Sequence, residues 1–88
     1  MSVYLITYRL MEPEQNYAAL YAYFEKYNNG ADVGTSAIAI KSDRSAQDIA
    51  RDILAIVGMH DNFNVFTIRE QPPGQNNPNV NAWFAKNI

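Results

Sequence analysis

Val3 to Leu10 carries apolar or aromatic side chains on both of its faces, and this two-sidedness constrains the fold more than any other feature. Side chains alternate along an extended strand, so Val3, Leu5, Thr7 and Arg9 project one way and Tyr4, Ile6, Tyr8 and Leu10 the other. A strand that is greasy on both sides belongs in the middle of a sheet, with cover above and below. The chain has 88 residues. A domain of that size buries about 60–65% of its unfolded surface, which supports one core and not two.

Helix and strand signals alternate after this strand. Glu12, Pro13 and Glu14 suit the start of a helix, because Pro is tolerated in the first turn and acids complement the positive end of the dipole. Tyr17, Leu20, Tyr21, Phe24 and Tyr27 recur at helical spacing as one apolar stripe, with Tyr23 off the stripe beside Lys26. Asn28, Asn29 and Gly30 end that helix, with Gly30 placed for a left-handed cap. Ala31 to Lys41 reads as extended. Val33, Thr35, Ala37 and Ala39 share one face, Ser36, Ile38 and Ile40 share the other, and Gly34 marks a bend that divides the segment into two strands. Ser45 is an N-cap, with Asp48 at the third helical position. Ile49, Ile53, Ile56 and Val57 form the buried stripe of this second helix, and Gly58 stops it. Phe63 to Arg69 is the last strand. The order predicts an α+β fold, a ferredoxin-like βαββαβ sandwich with two helices on one face of an antiparallel sheet.

Composition changes after residue 70. Residues 1–70 make the ferredoxin-like domain. Residues 71–79 make a connector, since Pro72, Pro73, Gly74 and Pro78 among polar neighbours exclude a helix or central strand. Residues 80–88 return to apolar character in Val80, Ala82, Trp83, Phe84 and Ile88, and read as a docked C-terminal arm.

Two helices cover one sheet face and leave the other. Val3, Leu5, Thr7, Val33, Ala37 and Ala39 would lie there, a set too apolar and small-sided to face water. The expected occupant is a second copy of the chain, sheet against sheet, with Trp83 and Phe84 sealing the homodimer interface. The alternative is that the arm folds back over its own sheet and leaves a monomer.

Seven Lys and Arg against nine Asp and Glu give a net charge of −2, which argues against strong non-specific attraction to phosphate backbones but not against a local basic patch. There is no cysteine, so disulfides, thiolate catalysis and thiolate metal sites are absent. Met1 to Leu10 lacks the positive n-region of a signal peptide, and the longest apolar run, Ile53 to Met59, is far short of the roughly 20 residues that span a bilayer. A cytoplasmic protein without membrane contact is expected.

No phosphate-cradling glycine loop, serine elbow or metal-spaced histidine cluster is present. His60, the single histidine, sits in a turn beside Asp61 and reads as a solvated side chain. Asp48 and Asp52 lie one helical turn apart, but Asp48 reads as a cap partner and Asp52 as a solvated residue. No catalytic residue, metal site or cofactor is therefore assigned. Tyr23 with Lys26 makes a recognition pair, and Arg9, Lys41, Arg44 and Arg69 lie at strand ends or turns where they could form an anion-binding surface.

Several segments resemble a known family. Tyr4-Leu5-Ile6-Thr7-Tyr8-Arg9-Leu10 resembles the first strand of the CRISPR-associated Cas-two family and its SinR-like relatives. The run from Ser36 to Ile49, Ser-Ala-Ile-Ala-Ile-Lys-Ser-Asp-Arg-Ser-Ala-Gln-Asp-Ile, is similar to that family's second strand, turn and second-helix start. Asp61 with the Phe63–Ile68 strand resembles its closing segment, and Trp83 an aromatic tail of SinR-like members. The resemblance implies a ferredoxin-like homodimer whose C-terminal segments complete the partner's sheet. It also implies either a metal-dependent nuclease or a non-catalytic dimer at the centre of a DNA-integrating complex. The nuclease reading relies on an Asp at the end of the first strand, where this chain has Arg9. Arginine offers only donors and a permanent positive charge, so it repels a divalent cation and attracts phosphate or carboxylate. The expected function is that of a non-catalytic homodimer binding nucleic acid or a protein of a nucleic-acid system. The alternatives are a divalent-metal nuclease of the same family that uses other residues and a small protein-binding inhibitor or regulator, such as a virus-encoded one that occupies a host protein.

Overall fold

The computed structural model describes residues 1–11, 14–27 and 29–88. The helix-start signals at Glu12 and Pro13 and the helix-end signal at Asn28 lie outside these residues. Among these residues seven elements follow in the order β1 (Ser2–Arg9), α1 (Glu14–Phe24), β2 (Gly30–Gly34), β3 (Ala37–Ser42), α2 (Ala46–Leu54), β4 (Asn62–Ile68) and α3 (Pro78–Asn87). The strands form one sheet in the order β2-β3-β1-β4, with every neighbouring pair antiparallel. The two-sided strand β1 is internal, with Leu5 opposite Ala39 on one flank and Phe66 on the other. No helix among the described residues is long and apolar enough to cross a membrane.

Alternation along β1 separates two cores. Tyr4, Ile6 and Tyr8 join Ile40 of β3, Leu20, Tyr23 and Phe24 of α1, and Ile49 and Ile53 of α2. Ile6, Leu20, Ile40, Ile49 and Ile53 are wholly buried, so truncating any of them to Ala costs about 2–5 kcal/mol. Val3 and Ala39 on the opposite face join Val80 and Phe84 of α3, with Val33, Ile68 and Trp83 packed around them. The arm is thus a helix lying on its own sheet. Of the residues read as a dimer interface, Val3, Val33, Ala39, Trp83 and Phe84 are in this intramolecular cluster. Leu5, Thr7 and Ala37 lie on the same face and are half-buried.

Local chemistry accounts for the helix ends. Ser45 accepts the Asp48 amide at 3.1 Å and starts α2, as its sequence position implies. Helix α3 begins at Pro78, inside the stretch read as connector. Asn77 caps it by accepting the Asn79 amide at 2.9 Å, and Pro78 occupies the first turn, where its missing N–H costs nothing. Ile56 and Val57 lie just past α2 and pack on the core from the turn.

Two expectations are corrected. Gly30 does not adopt a left-handed conformation and is instead the first residue of β2. A Cβ there would lie 3.0 Å from the Ala39 carbonyl oxygen, so close strand approach explains the glycine. Tyr23 is buried, whereas Tyr21, placed on the stripe, is 43% exposed. Both helices cover this face, so α1 turns Tyr23 toward α2 and Tyr21 toward the sheet edge.

Candidate functional site

Packing of α1 beside α2 creates a cleft of ≈560 Å³ lined by Tyr23, Lys26, Tyr27, Arg44 and Asp52. Sequence reasoning singled out three of these, and the fold brings them together. Lys26 Nζ stands 5.9 Å from the centre of the Tyr23 ring, within cation–π range. The Tyr23 hydroxyl donates to Asp52 Oδ2 at 2.8 Å, and Arg44 donates to the same oxygen at 2.7 Å. A phenol has one proton, so the 2.6 Å bond between Tyr23 and Tyr27 is donated by Tyr27. Burial, followed by the bonds to Tyr27 and Asp52, holds the Tyr23 hydroxyl well above the ordinary phenol range. Its ring is inside the core, so it is not offered for stacking.

Strand register distributes the remaining basic residues. Lys41 lies opposite Val3, and Ile68 lies opposite Val3 on the other flank, so Lys41 and Arg69 bracket the beginning of β1. Arg44 follows β3 at the same end. Arg9 is at the far end of β1, roughly 23 Å away at about 3.3 Å per residue, beside Ser36 and Asn62 in a shallow groove of ≈210 Å³. The four strand-end cations therefore do not converge. Among the described residues Arg44 pairs with Asp52 and Arg51 with Asp48, while Arg9, Lys26, Lys41 and Arg69 form no ion pair.

The acidic residues are engaged structurally. Asp52 serves Tyr23 and Arg44, and Asp48 lies 3.6 Å from Arg51. Asp61 ties two loops together, accepting from the Met11 amide at 2.6 Å and the Gly58 amide at 2.7 Å. His60 is exposed in the turn before β4. No three His, Cys, Asp or Glu side chains gather as a metal site among the described residues.

A second cleft, of ≈620 Å³, went unnoticed in the sequence. It opens between α1 and β2 because Gly30 and Asp32 share a sheet face with Ile40 and Ile38, giving β2 no bulky apolar group on the helix side. Strand alternation and helical spacing assign its aromatic lining to the core alone. The available signal was Asp32, an acid at a strand position that alternation assigns to the apolar face.

Comparison with family models, curated proteins and solved structures returns no match to this chain.

Proposed function

We propose that the chain is a ferredoxin-like, non-catalytic homodimer that works by binding nucleic acid or a protein of a nucleic-acid system. The strand order β2-β3-β1-β4, with α1 and α2 on one face, supports the ferredoxin-like reading. The observation that carries the binding reading is the pair Lys41 and Arg69 bracketing the start of β1 without carboxylate partners among the described residues, where a phosphate backbone would find donors. Two or three cations on a chain of net charge −2 make such binding modest and sensitive to salt.

The dimer reading rests on the part of the α3-side face that α3 leaves open. Phe66 is 48% exposed there, beside half-buried Leu5. Strand β4, Asn62–Ile68, is a sheet edge with no charged residue or proline to block pairing. A second copy meeting this strip would bury Phe66 and cover that edge.

The test is fluorescence anisotropy with labelled single-stranded RNA and duplex DNA at two salt concentrations. Lys41→Ala with Arg69→Ala should weaken binding and flatten the salt slope by roughly one to two charges. Unchanged affinity and slope in the double variant would sink the reading.

A further inference from the structure

The cleft between α1 and β2 carries a ligand chemistry opposite to that of the basic sheet end. Tyr8, Tyr21, Phe24 and Tyr27 supply its aromatic walls, and among the described residues Glu25 and Asp32 are its only charged lining. The walls are an organised cluster. The Tyr8 ring meets Tyr21 edge-on at 6.2 Å and Phe24 at 5.6 Å. Tyr8 and Phe24 are buried and fixed by the core, whereas Tyr21 and the two acids reach solvent. Burial first, then Tyr21 and Asp32, raises the Tyr8 hydroxyl above its ordinary range, which agrees with Tyr8, Tyr21 and Asp32 lining the same cleft.

Among the described residues, Glu25 and Asp32 have no ion-pair partner and no Lys or Arg lines the cleft. Aromatic faces carry negative potential, and carboxylates at the rim add to it. An anion would be repelled, and a neutral apolar molecule would gain nothing from the two exposed acids. We propose that this cleft binds a free organic cation, a protonated amine on an aromatic or alkyl body, with the ammonium held by Asp32 and Glu25 and the body packed against Tyr8, Tyr21 and Tyr27. The volume falls within the range of small-molecule sites, about 300–1,000 Å³. The inference is independent of the nucleic-acid reading, since it uses other residues and the opposite sign of charge.

Backbone amide shifts of the ¹⁵N-labelled full chain, titrated with 2-phenylethylammonium, test the proposal. The neutral isostere 2-phenylethanol and the anion phenylacetate serve as comparators. Saturable shifts centred on residues 30–32 and 25–27 are expected, with the alcohol about tenfold weaker than the amine and phenylacetate weakest. In Asp32→Asn with Glu25→Gln, both at exposed positions, the amine should bind no better than the alcohol. Equal binding of amine and alcohol by the unaltered chain would overturn the proposal, as would no saturable shift up to about 10 mM. That comparison decides the matter even where the double variant folds poorly.

Discussion

The Tyr23 hydroxyl donates to Asp52 across 2.8 Å and joins the last turn of α1 to the last turn of α2. Tyr27 donates to Tyr23 behind it, and Arg44 donates to Asp52 in front. Tyr4 extends the network by donating to the Arg44 carbonyl at 2.5 Å. The residues that sequence reasoning selected for recognition are thus partly consumed in holding the helices together.

That network makes stability depend on alkaline pH. The folded state holds the Tyr23 proton more tightly than the unfolded chain, whose phenols ionise near 10.0. A group with its pKa raised on folding contributes fully below the unfolded value and loses that contribution as pH climbs beyond it. Tyr8 shifts in the same direction. The urea midpoint should hold from about pH 8 to 9.5 and fall above about pH 10, and Tyr23→Phe should flatten that fall. A wild-type midpoint that stays level to about pH 11 would refute the linkage.

Asp61 should matter for folding more than its position in a short turn suggests. Its two oxygens accept from the Met11 and Gly58 amides, pinning the β1 exit to the turn after α2. Asp61→Ala should cost about 1–3 kcal/mol, because backbone donors lose a charged acceptor. Asp61→Asn keeps one acceptor oxygen and should cost less. Denaturant titration checks the ranking, and equal midpoints for all three chains would refute it.

Helix α3 should behave as part of the domain. Phe84 is buried against Val3 and Ala39, and Trp83 Nε1 donates to Asn29 Oδ1 at 2.8 Å. Phe84→Ala should cost about 3–5 kcal/mol, with Trp83→Ala smaller because that ring is only half-buried. Both partners are in the same chain, so Trp83→Ala should lower the melting temperature without changing the mass seen by light scattering. A mass change with an unaltered melting temperature would mean that the helix serves another copy.

Some of this architecture was legible because neighbouring residues decide it. The two faces of β1, the break near Gly34 and the Ser45 cap each follow from side-chain alternation or from one local hydrogen bond. Helix α3 was hidden because Pro78 and Asn79, disruptive within a helix, are favourable at its start. The Lys26–Arg44 cleft needs α1 beside α2, a tertiary fact that no spacing encodes. The separation of Arg9 from Lys41 was within reach, since antiparallel pairing sends the ends of β1 and β3 opposite ways. The α1–β2 cleft reflects what β2 lacks, and an absent side chain leaves no periodic signal.

The open strip beside α3 gives the proposed dimer its own test. Phe66 projects from β4 next to Leu5 and remains half in water in the single chain. Phe66→Asp places a charge in the centre of that strip without disturbing the cores under α1, α2 or α3. If two copies meet here, the unaltered protein should run at twice the 10.0 kDa chain mass and the variant at the chain mass, with both folded by circular dichroism. The charge also guards the β4 edge, so residual self-association should vanish with it. A wild-type mass of one chain at concentrations of about 100 µM would discard the dimer, since a pair weaker than that has an affinity below about 5.5 kcal/mol. In that case Phe66 is a solitary exposed ring, of a kind monomeric proteins commonly tolerate.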